Sequence, residues 1–337
     1  SPFVVSLFMH SASEISHGSK THNVFLYNMY TVCYKVYHHF CNMSIVFDRF
    51  FYVFLLKNDW FSLDKCFGFT RENPYSRMQV YIFHNLEVFM DNKKTGMNPI
   101  LPGFYPDPSI CRVNDDYYLV TSTFAYFPGV PIFHSRDLVH WNQIGNILER
   151  KEQLPLVNAE TSEGIFAPTL RYHDGTFYMI TTNVTPTNDI NNFIVTATDP
   201  AGPWSDPYPL DSAGIDPSLF FDDDGKCYYC GTQNRREGSR YFGDNEIYIQ
   251  ELDLNTMKLV GESYPAWHGA LRGVEWPEGP HIYKKDGYYY LLISEAGTGH
   301  NHAVSIARSK SLTEPFTGHK ANPIFTHRHL GYHYPIV

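Results

Sequence analysis

Four stretches of the chain share one pattern of apolar and polar positions. In each stretch a proline precedes about four mostly apolar residues, an acidic or glycine-containing turn follows, and an aromatic segment comes next. The stretches read PSICRVNDDYYLV, PTLRYHDGTFYMI, PSLFFDDDGKCYYC and PHIYKKDGYYYLLI. Apolar runs on both sides of an Asn-Asp or Asp-Gly turn are typical of β-hairpins. The pattern therefore predicts four hairpins of one type.

The hairpins recur at a long and nearly constant period. Their prolines are Pro108, Pro168, Pro217 and Pro280, so the steps are 60, 49 and 63 residues. Segments such as GVPIFHSRDLVHWNQI and HAVSIARSKSL predict further strands within each period. A period of roughly 50 residues with about four strands indicates an all-β fold of β-propeller blades, because a β-sandwich would lack this self-similarity. Four periods are visible, so the chain is either a four-bladed propeller or one whose last blade is absent from it.

The first 96 residues do not share this pattern. Of the 22 prolines only two precede Met97, and of the 23 glycines only three do. No sustained helical or strand period replaces the missing turn residues. We expect residues 1–96 to be a small accessory domain, a poorly ordered extension or a stretch from outside the natural reading frame, with the last two favoured. Residues 97–337 are expected to be the functional domain.

Composition narrows the classes of function. The net charge of −9 argues against a nucleic-acid partner, and 43% apolar with 18% charged residues is typical of a globular chain. The apolar run FFYVFLL has seven residues, too few to cross a bilayer, so no membrane partner is expected. No secretory leader pattern is visible, which predicts a cytoplasmic location. Cys227 and Cys230 form a lone CxxC pair that we interpret as two strand thiols.

Carboxylates stand at the start of three of the four hairpins. Asp107 precedes the repeat proline in the first copy and Asp216 does so in the third, whereas the second copy has Ala167. In the fourth copy Gly279 takes that position and Glu278 comes one residue earlier. Because the first strand of each blade lines the central channel, the three carboxylates are expected to meet at one mouth.

Two interpretations of these carboxylates compete. An Asp-Pro-Ser sequence can cap its own backbone at a turn, and for a single copy that interpretation is the better one. Three facing carboxylates repel and raise one another's pKa, so their convergence favours a role in chemistry or in holding a cation. Carboxylates among many aromatic residues indicate glycoside hydrolysis, in which one acid protonates the leaving oxygen while another carboxylate activates water or attacks.

Five motifs resemble those of glycoside hydrolase family 43, in particular its β-xylosidase and α-L-arabinofuranosidase members. They are GFYPDPSI, TSTFAYFPGVPIFHSRDLVHW, GIFAPTLRY, GIDPSLFFD and WPEGPHIYKKDGYYYLLISEAG, in this order. The resemblance implies a five-bladed propeller that hydrolyses xylo-oligosaccharides or arabinosyl-substituted substrates with inversion and without a cofactor. The fifth blade of such a fold would begin just past Val337.

The resemblance also implies roles for individual residues. Asp107 of YPDPS corresponds to the general base, and Glu278 of WPEGPH corresponds to the general acid. Asp216 of IDPSLF corresponds to a third carboxylate that raises the pKa of the acid and orients it. Phe124 and Phe166 are expected to form the apolar wall of the sugar subsite, with Phe166 standing where relatives often have tryptophan.

A few further residues are candidates. Glu275 competes with Glu278 for the role of acid, but the repeat register favours Glu278. Glu295 and His302 are expected to contact substrate. The histidines near the end of the chain have no fixed ligand spacing, so no metal site is assigned.

The sequence favours an exo-β-1,4-xylosidase over three alternatives. These are an α-L-arabinofuranosidase of the same family, a non-catalytic carbohydrate-binding propeller and a truncated inactive product. The complete set of carboxylates favours an enzyme, because a binding module has no need of a protonated acid beside two anions. The oligomeric state is left open.

Overall fold

The computed structural model describes residues 96–186, 191–270, 273 and 275–331. The chain divides into two units, and every described residue belongs to the second, Thr95–Val337. Within the described ranges the secondary structure consists of 17 β-strands in four antiparallel sheets, which are the blades of an all-β propeller. The expectations for residues 1–95 lie outside these ranges. None of the described residues belongs to a helix with the length and hydropathy needed to span a membrane.

The first two blades each contain four strands that pair in chain order. Blade 1 consists of β1 (Ser109–Val113), β2 (Asp116–Val120), β3 (Gly129–Ser135) and β4 (Asn142–Leu148). Blade 2 consists of β5 (Thr169–His173), β6 (Thr176–Thr182), β7 (Asn192–Ala197) and β8 (Tyr208–Pro209).

Blades 3 and 4 repeat this order with longer strands. Blade 3 consists of β9 (Ser218–Phe221), β10 (Cys227–Asn234), β11 (Asn245–Asp253) and β12 (Lys258–Trp267). Blade 4 consists of β13 (Glu278–Lys285), β14 (Tyr288–Glu295), β15 (Ala303–Ser309) and β16 (Thr317–Gly318), and β17 (Phe325–Thr326) also pairs with β15.

The predicted hairpins are present in all four blades, and the turn chemistry explains two of them directly. Asp174 and Gly175 connect β5 to β6 with φ of 44° and 82°. Asp286 and Gly287 connect β13 to β14 with φ of 51° and 73°. Two consecutive positive φ angles define a type I′ turn, whose twist matches that of the flanking strands.

The innermost strands β1, β5, β9 and β13 lie side by side in this order. The first three begin one residue after the repeat proline and β13 begins two residues before it, so all four begin at the same end of the channel, which is called the mouth below. Further into the channel, Arg171 donates from Nε to the carbonyl of Leu219 (3.1 Å) and from Nη2 to Nδ1 of His281 (2.8 Å). Burial and the Arg171 charge lower the pKa of His281 to about 3, so the imidazole is neutral and accepts this bond. The contacts join blades 2, 3 and 4.

The hydrophobic core lies between neighbouring blades. Successive residues of a strand point to opposite faces of the sheet, so a blade between two others buries both faces. In β6, Met179 packs into the cluster shared with blade 1, whereas Ile180 packs into the cluster shared with blade 3. In β10, Cys227 and Cys230 lie in different clusters on the two faces of blade 3. Burial raises the pKa of Cys227 to about 12, which fits the interpretation of this pair as strand thiols.

Candidate active site

The residue before the repeat proline has an unusual backbone conformation in three blades. The φ angles are 53° at Asp107, 53° at Asp216 and 54° at Gly279. Asp tolerates this left-handed region better than most residues, and Gly adopts it freely. The shared conformation shows that Gly279 is the structural equivalent of the two aspartates. The carboxylate of blade 4 therefore comes from the preceding residue, Glu278.

Asp107 lies at the entrance of blade 1, where its side chain is exposed. Ser122 follows β2 and is 2% exposed; its hydroxyl donates a 2.5 Å hydrogen bond to Oδ2 of Asp107. A hydrogen bond from a buried, fixed hydroxyl sets the orientation of the carboxylate. The geometry is that of a positioned proton acceptor.

Asp216 lies at the entrance of blade 3 and is half-buried. Its backbone N–H donates to Oγ1 of Thr182 (3.2 Å), and its carboxylate accepts a hydrogen bond from the backbone of Ala167. Burial and the charges of Glu278 and Asp107 raise the pKa of Asp216 well above its usual range. The structure thus brings the three carboxylates close enough for their charges to act on one another.

Glu278 is the first residue of β13 and is half-buried. Burial and the charge of Asp107 raise its pKa to about 7 from an ordinary value of 4.5. The shift is the one expected for a general acid that must hold a proton near neutrality. The charge of Asp107 contributes to this shift, and Glu278 is also coupled to Asp216, whose pKa the charge of Glu278 raises. The role of Asp216 in tuning the acid stays a prediction.

Three hydroxyl residues at one repeat position hold the carboxylate segments, and the sequence analysis missed them. Ser122, Thr182 and Thr232 each lie two residues beyond the partner of the first residue of β1, β5 and β9 respectively. Ser122 bonds Asp107, Thr182 accepts from the backbone of Asp216, and Thr232 donates to the carbonyl of Pro277 (2.8 Å), next to the acid. Aligning the ends of the returning strands across the four copies would have revealed this position.

Aromatic side chains cluster in the segment after β2. Phe124 lies two residues after Ser122 with φ of 49°, and it exchanges backbone hydrogen bonds with Ile165 of the segment that leads into blade 2. The pairing brings the rings of Phe124 and Phe166 to 5.7 Å at an interplanar angle of 67°. The ring of Phe104 lies 5.9 Å from that of Phe124. The structure therefore places the two predicted wall residues together, in the segment that follows the serine bound to Asp107.

Comparison with known proteins decides the family. The profile described as Glycosyl hydrolases family 43 matches residues 97–337. The chain belongs to glycosyl hydrolase family 43. A protein of Butyrivibrio fibrisolvens named xylosidase/arabinosidase is 66% identical over 242 residues, which are 71% of this chain and 46% of that protein. A xylan 1,3-β-xylosidase of a Vibrio species is 46% identical over 240 residues, 69% of this chain and 44% of its own length.

Solved structures of family 43 share the fold. The xylan β-1,4-xylosidase of Bacillus halodurans is 47% identical with a TM-score of 0.64, over 70% of this chain and 45% of that one. A family 43 protein from a capybara gut metagenome is 44% identical with a TM-score of 0.67, over 72% and 47% of the two chains. The chain spans slightly less than half the length of these relatives. The family fold is a five-bladed propeller, of which the described residues form four blades.

The two remaining predicted substrate residues of this family 43 chain lie in blade 4. Glu295 ends β14 fully buried, and Oε1 accepts a 2.5 Å hydrogen bond from the backbone of Ala270. That oxygen therefore holds the segment leading to the acid. His302 is half-buried, and Nδ1 donates to the carbonyl of Gly297 within the loop between β14 and β15. As sugar contacts, both residues stay predictions.

The described residues offer no arrangement of three or more His, Cys, Asp or Glu side chains suited to holding a metal ion.

Of the two candidate acids, Glu275 is exposed, and its backbone carbonyl accepts a hydrogen bond from the N–H of Ala296 at 2.8 Å. The charge of Asp107 raises the pKa of Glu278. In this family 43 site Glu278 is therefore favoured over Glu275 as the acid.

Proposed function

We propose that the protein is an exo-acting β-1,4-xylosidase that releases xylose from the ends of xylo-oligosaccharides with inversion at the anomeric carbon. The observation that carries the proposal is the raised pKa of Glu278, about 7, next to the hydrogen-bonded carboxylate of Asp107. An acid that keeps its proton beside a positioned base is what glycoside hydrolysis requires.

The reaction needs two proton transfers. Asp107 takes a proton from a water molecule as the water oxygen bonds to the anomeric carbon. The bond to the leaving oxygen breaks with its electron pair, and Glu278 gives its proton to that oxygen. Asp107 ends protonated and Glu278 ionised, and exchange with solvent restores both. Ser122 holds Asp107 in place during this cycle. Asp216 helps to position Glu278, with which it is electrostatically coupled.

An α-L-arabinofuranosidase is the second candidate. Its support is the naming of relatives: the 66% identical protein is called xylosidase/arabinosidase, and a Bacteroides ovatus protein called a non-reducing end α-L-arabinofuranosidase is 46% identical. Both reactions use the same acid and base, so the carboxylates do not separate them. We expect the shape of the sugar subsite around Phe124 and Phe166 to separate them.

A non-catalytic carbohydrate-binding propeller is less well supported. Burying carboxylates beside one another destabilises their charged forms, and a binding site gains nothing from that cost. A site that only binds sugar would need the aromatic side chains near Phe124 but not the coupled carboxylates.

Nitrophenol release tests the proposal. We expect turnover of 4-nitrophenyl-β-xyloside, a smaller rate with 4-nitrophenyl-α-L-arabinofuranoside, and α-xylose as the first product of xylobiose by NMR. A larger rate with the arabinofuranoside would favour the second candidate. Turnover of neither substrate, together with binding of xylobiose, would support the carbohydrate-binding alternative. First formation of β-xylose would show that the mechanism is not inverting.

A further inference from the structure

An exposed aromatic side chain stands on the acid side of the mouth and is not used by the mechanism above. Phe242 is 78% exposed and lies in the loop between β10 and β11, residues 235–244, which is called the acid-side loop below. Strand β10 runs back towards the mouth, so this loop lies at the same end of the channel as Glu278. An aromatic side chain at the edge of a catalytic mouth is suited to contact a ligand.

The acid-side loop is fixed by ion pairs. Asp244 is 2% exposed and accepts hydrogen bonds from the backbone N–H (2.9 Å), Nε (2.8 Å) and Nη2 (2.9 Å) of Arg240. Buried Glu246 accepts from Nε of Arg236 at 3.0 Å. Both ends of the loop are therefore anchored, and Phe242 is presented on a rigid support. A rigid aromatic contact binds a ligand with little loss of conformational entropy.

Trp276 connects Phe242 to the acid. Its ring lies 5.3 Å from that of Phe242 at 85°, and its backbone N–H donates to the carbonyl of Gly243 (2.8 Å). Gly297 packs against the opposite part of the indole, where a Cβ would approach Cε3 to 2.7 Å. Trp276 precedes Glu278 by two residues. The same indole thus supports Phe242 and positions the segment that carries the acid.

The direction of proton transfer assigns a side to each aromatic group. Phe124 lies two residues after Ser122, which binds the base, and the base activates water against the sugar that is attacked. Phe242 contacts Trp276, two residues before the acid, and the acid protonates the oxygen of the departing sugar. Building on the function proposed above, we propose that Phe242, backed by Trp276, is the binding platform for the departing sugar and selects oligosaccharides over substrates with small leaving groups.

The test compares substrates that share the attacked xylose and differ in the leaving group. β-Xylosyl fluoride releases fluoride, which occupies no sugar site, whereas xylobiose releases a second xylose. Phe242→Ala is expected to lower kcat/KM for xylobiose about tenfold, the upper range for an aromatic contact, mainly through KM. The rate with xylosyl fluoride should not change, and Phe242→Trp should restore the rate with xylobiose.

The matched control is Tyr208→Ala, which removes a 41% exposed aromatic side chain from the outermost strand of blade 2. It should leave both rates unchanged. An equal loss on both substrates in Phe242→Ala, or no loss on xylobiose, would overturn the proposal, since the residue would then act on the catalytic groups or not at all.

A binding measurement separates this proposal from the proposed function. In a Glu278→Gln background, calorimetry should give tighter binding of xylobiose than of xylose, and adding Phe242→Ala should remove most of that difference. If the protein hydrolyses none of the substrates but this difference is present and depends on Phe242, the proposed function is wrong and the platform stands. If xylobiose binds no better than xylose, the platform is refuted whatever the activity.

Discussion

Carboxylates stand at both ends of the innermost strands, and their surroundings differ. At the mouth, burial and neighbouring negative charge raise the pKa of Asp216 and Glu278. At the far end of β9, burial alone would raise the pKa of Asp222, but hydrogen bonds from Lys284 and Tyr289 outweigh it and lower the pKa. The phenol of Tyr289 lies 2.6 Å from Oδ2 of Asp222, and the Lys284 ammonium binds Oδ1.

The difference separates stability from chemistry. Asp222 crosslinks blade 3 to blade 4 and is paired with a cation, as buried structural charges generally are. The mouth carboxylates act mainly on one another, and the chain around them has non-glycine residues with positive φ at Asp107, Asp216, Phe124 and Trp276. Such backbone strain and like-charge repulsion cost stability and are typical of functional sites.

The largest effect is expected from removing the acid or the base. Glu278→Gln and Asp107→Asn should each lower kcat for xylobiose by about 10³, within the usual range for general acid–base groups. Stability at neutral pH should be unchanged or higher, because each variant removes one of the mutually repelling charges. Kinetics and thermal unfolding on the same preparations check both parts.

Glu275→Gln is the control for the acid, since it changes an exposed carboxylate three residues earlier. It should retain activity. Loss of activity in Glu275→Gln with retention in Glu278→Gln would reverse the assignment. A large fall in stability in Glu278→Gln would show that the mouth carboxylates are structural, and the comparison of the two ends would fail.

At the far end the expected effects are reversed. Asp222→Asn removes the charge that Lys284 and Tyr289 bind, and should lower Tm by about 5 °C with kcat of the folded protein unchanged. Asp223→Asn is the matched control: Asp223 also contacts Lys284, at 3.1 Å, but its side chain is 86% exposed. An exposed pair contributes little, so Tm should barely change. Equal losses in both variants would show that burial of Asp222 is not what matters.

The sequence predicted the parts of this molecule that depend on local pattern. Apolar alternation and Asp-Gly turns located the hairpins, and the repeat register brought Asp107, Asp216 and Glu278 to one mouth. In blade 4 the carboxylate of Glu278 stands one residue before the repeat position. Gly279 fills that position, because its backbone is left-handed and glycine adopts a positive φ most easily.

Other features depend on three-dimensional contacts that no local pattern encodes. Ser122 differs from other serines only in what its hydroxyl meets after folding. Glu295 ends a strand and was expected to face substrate, but its burial depends on the segment around Ala270. Phe242 lies in a loop without periodicity, and its position follows from ion pairs and from Trp276.

The smallest expected effect is a shift in the pH profile of kcat/KM, which shows which charge sets the pKa of Glu278. The active form needs protonated Glu278, so kcat/KM should fall above about pH 7, tenfold per pH unit. In Asp216→Asn, whatever its residual rate, this limb should move to lower pH, because the charges of Asp216 and Glu278 act on each other. An unmoved limb would show that burial and Asp107 set the pKa of the acid without Asp216.

Stability provides an independent check of the same pKa. Folded Glu278 holds its proton up to about pH 7, whereas the unfolded residue releases it near 4.5. Between these values the folded state binds more protons, so this residue makes the free energy of unfolding fall as pH rises from 4.5 to 7. Glu278→Gln should flatten that fall, and denaturant unfolding at several pH values measures it. An unchanged slope would mean that Glu278 titrates normally in the folded protein and is not the poised acid of the mouth.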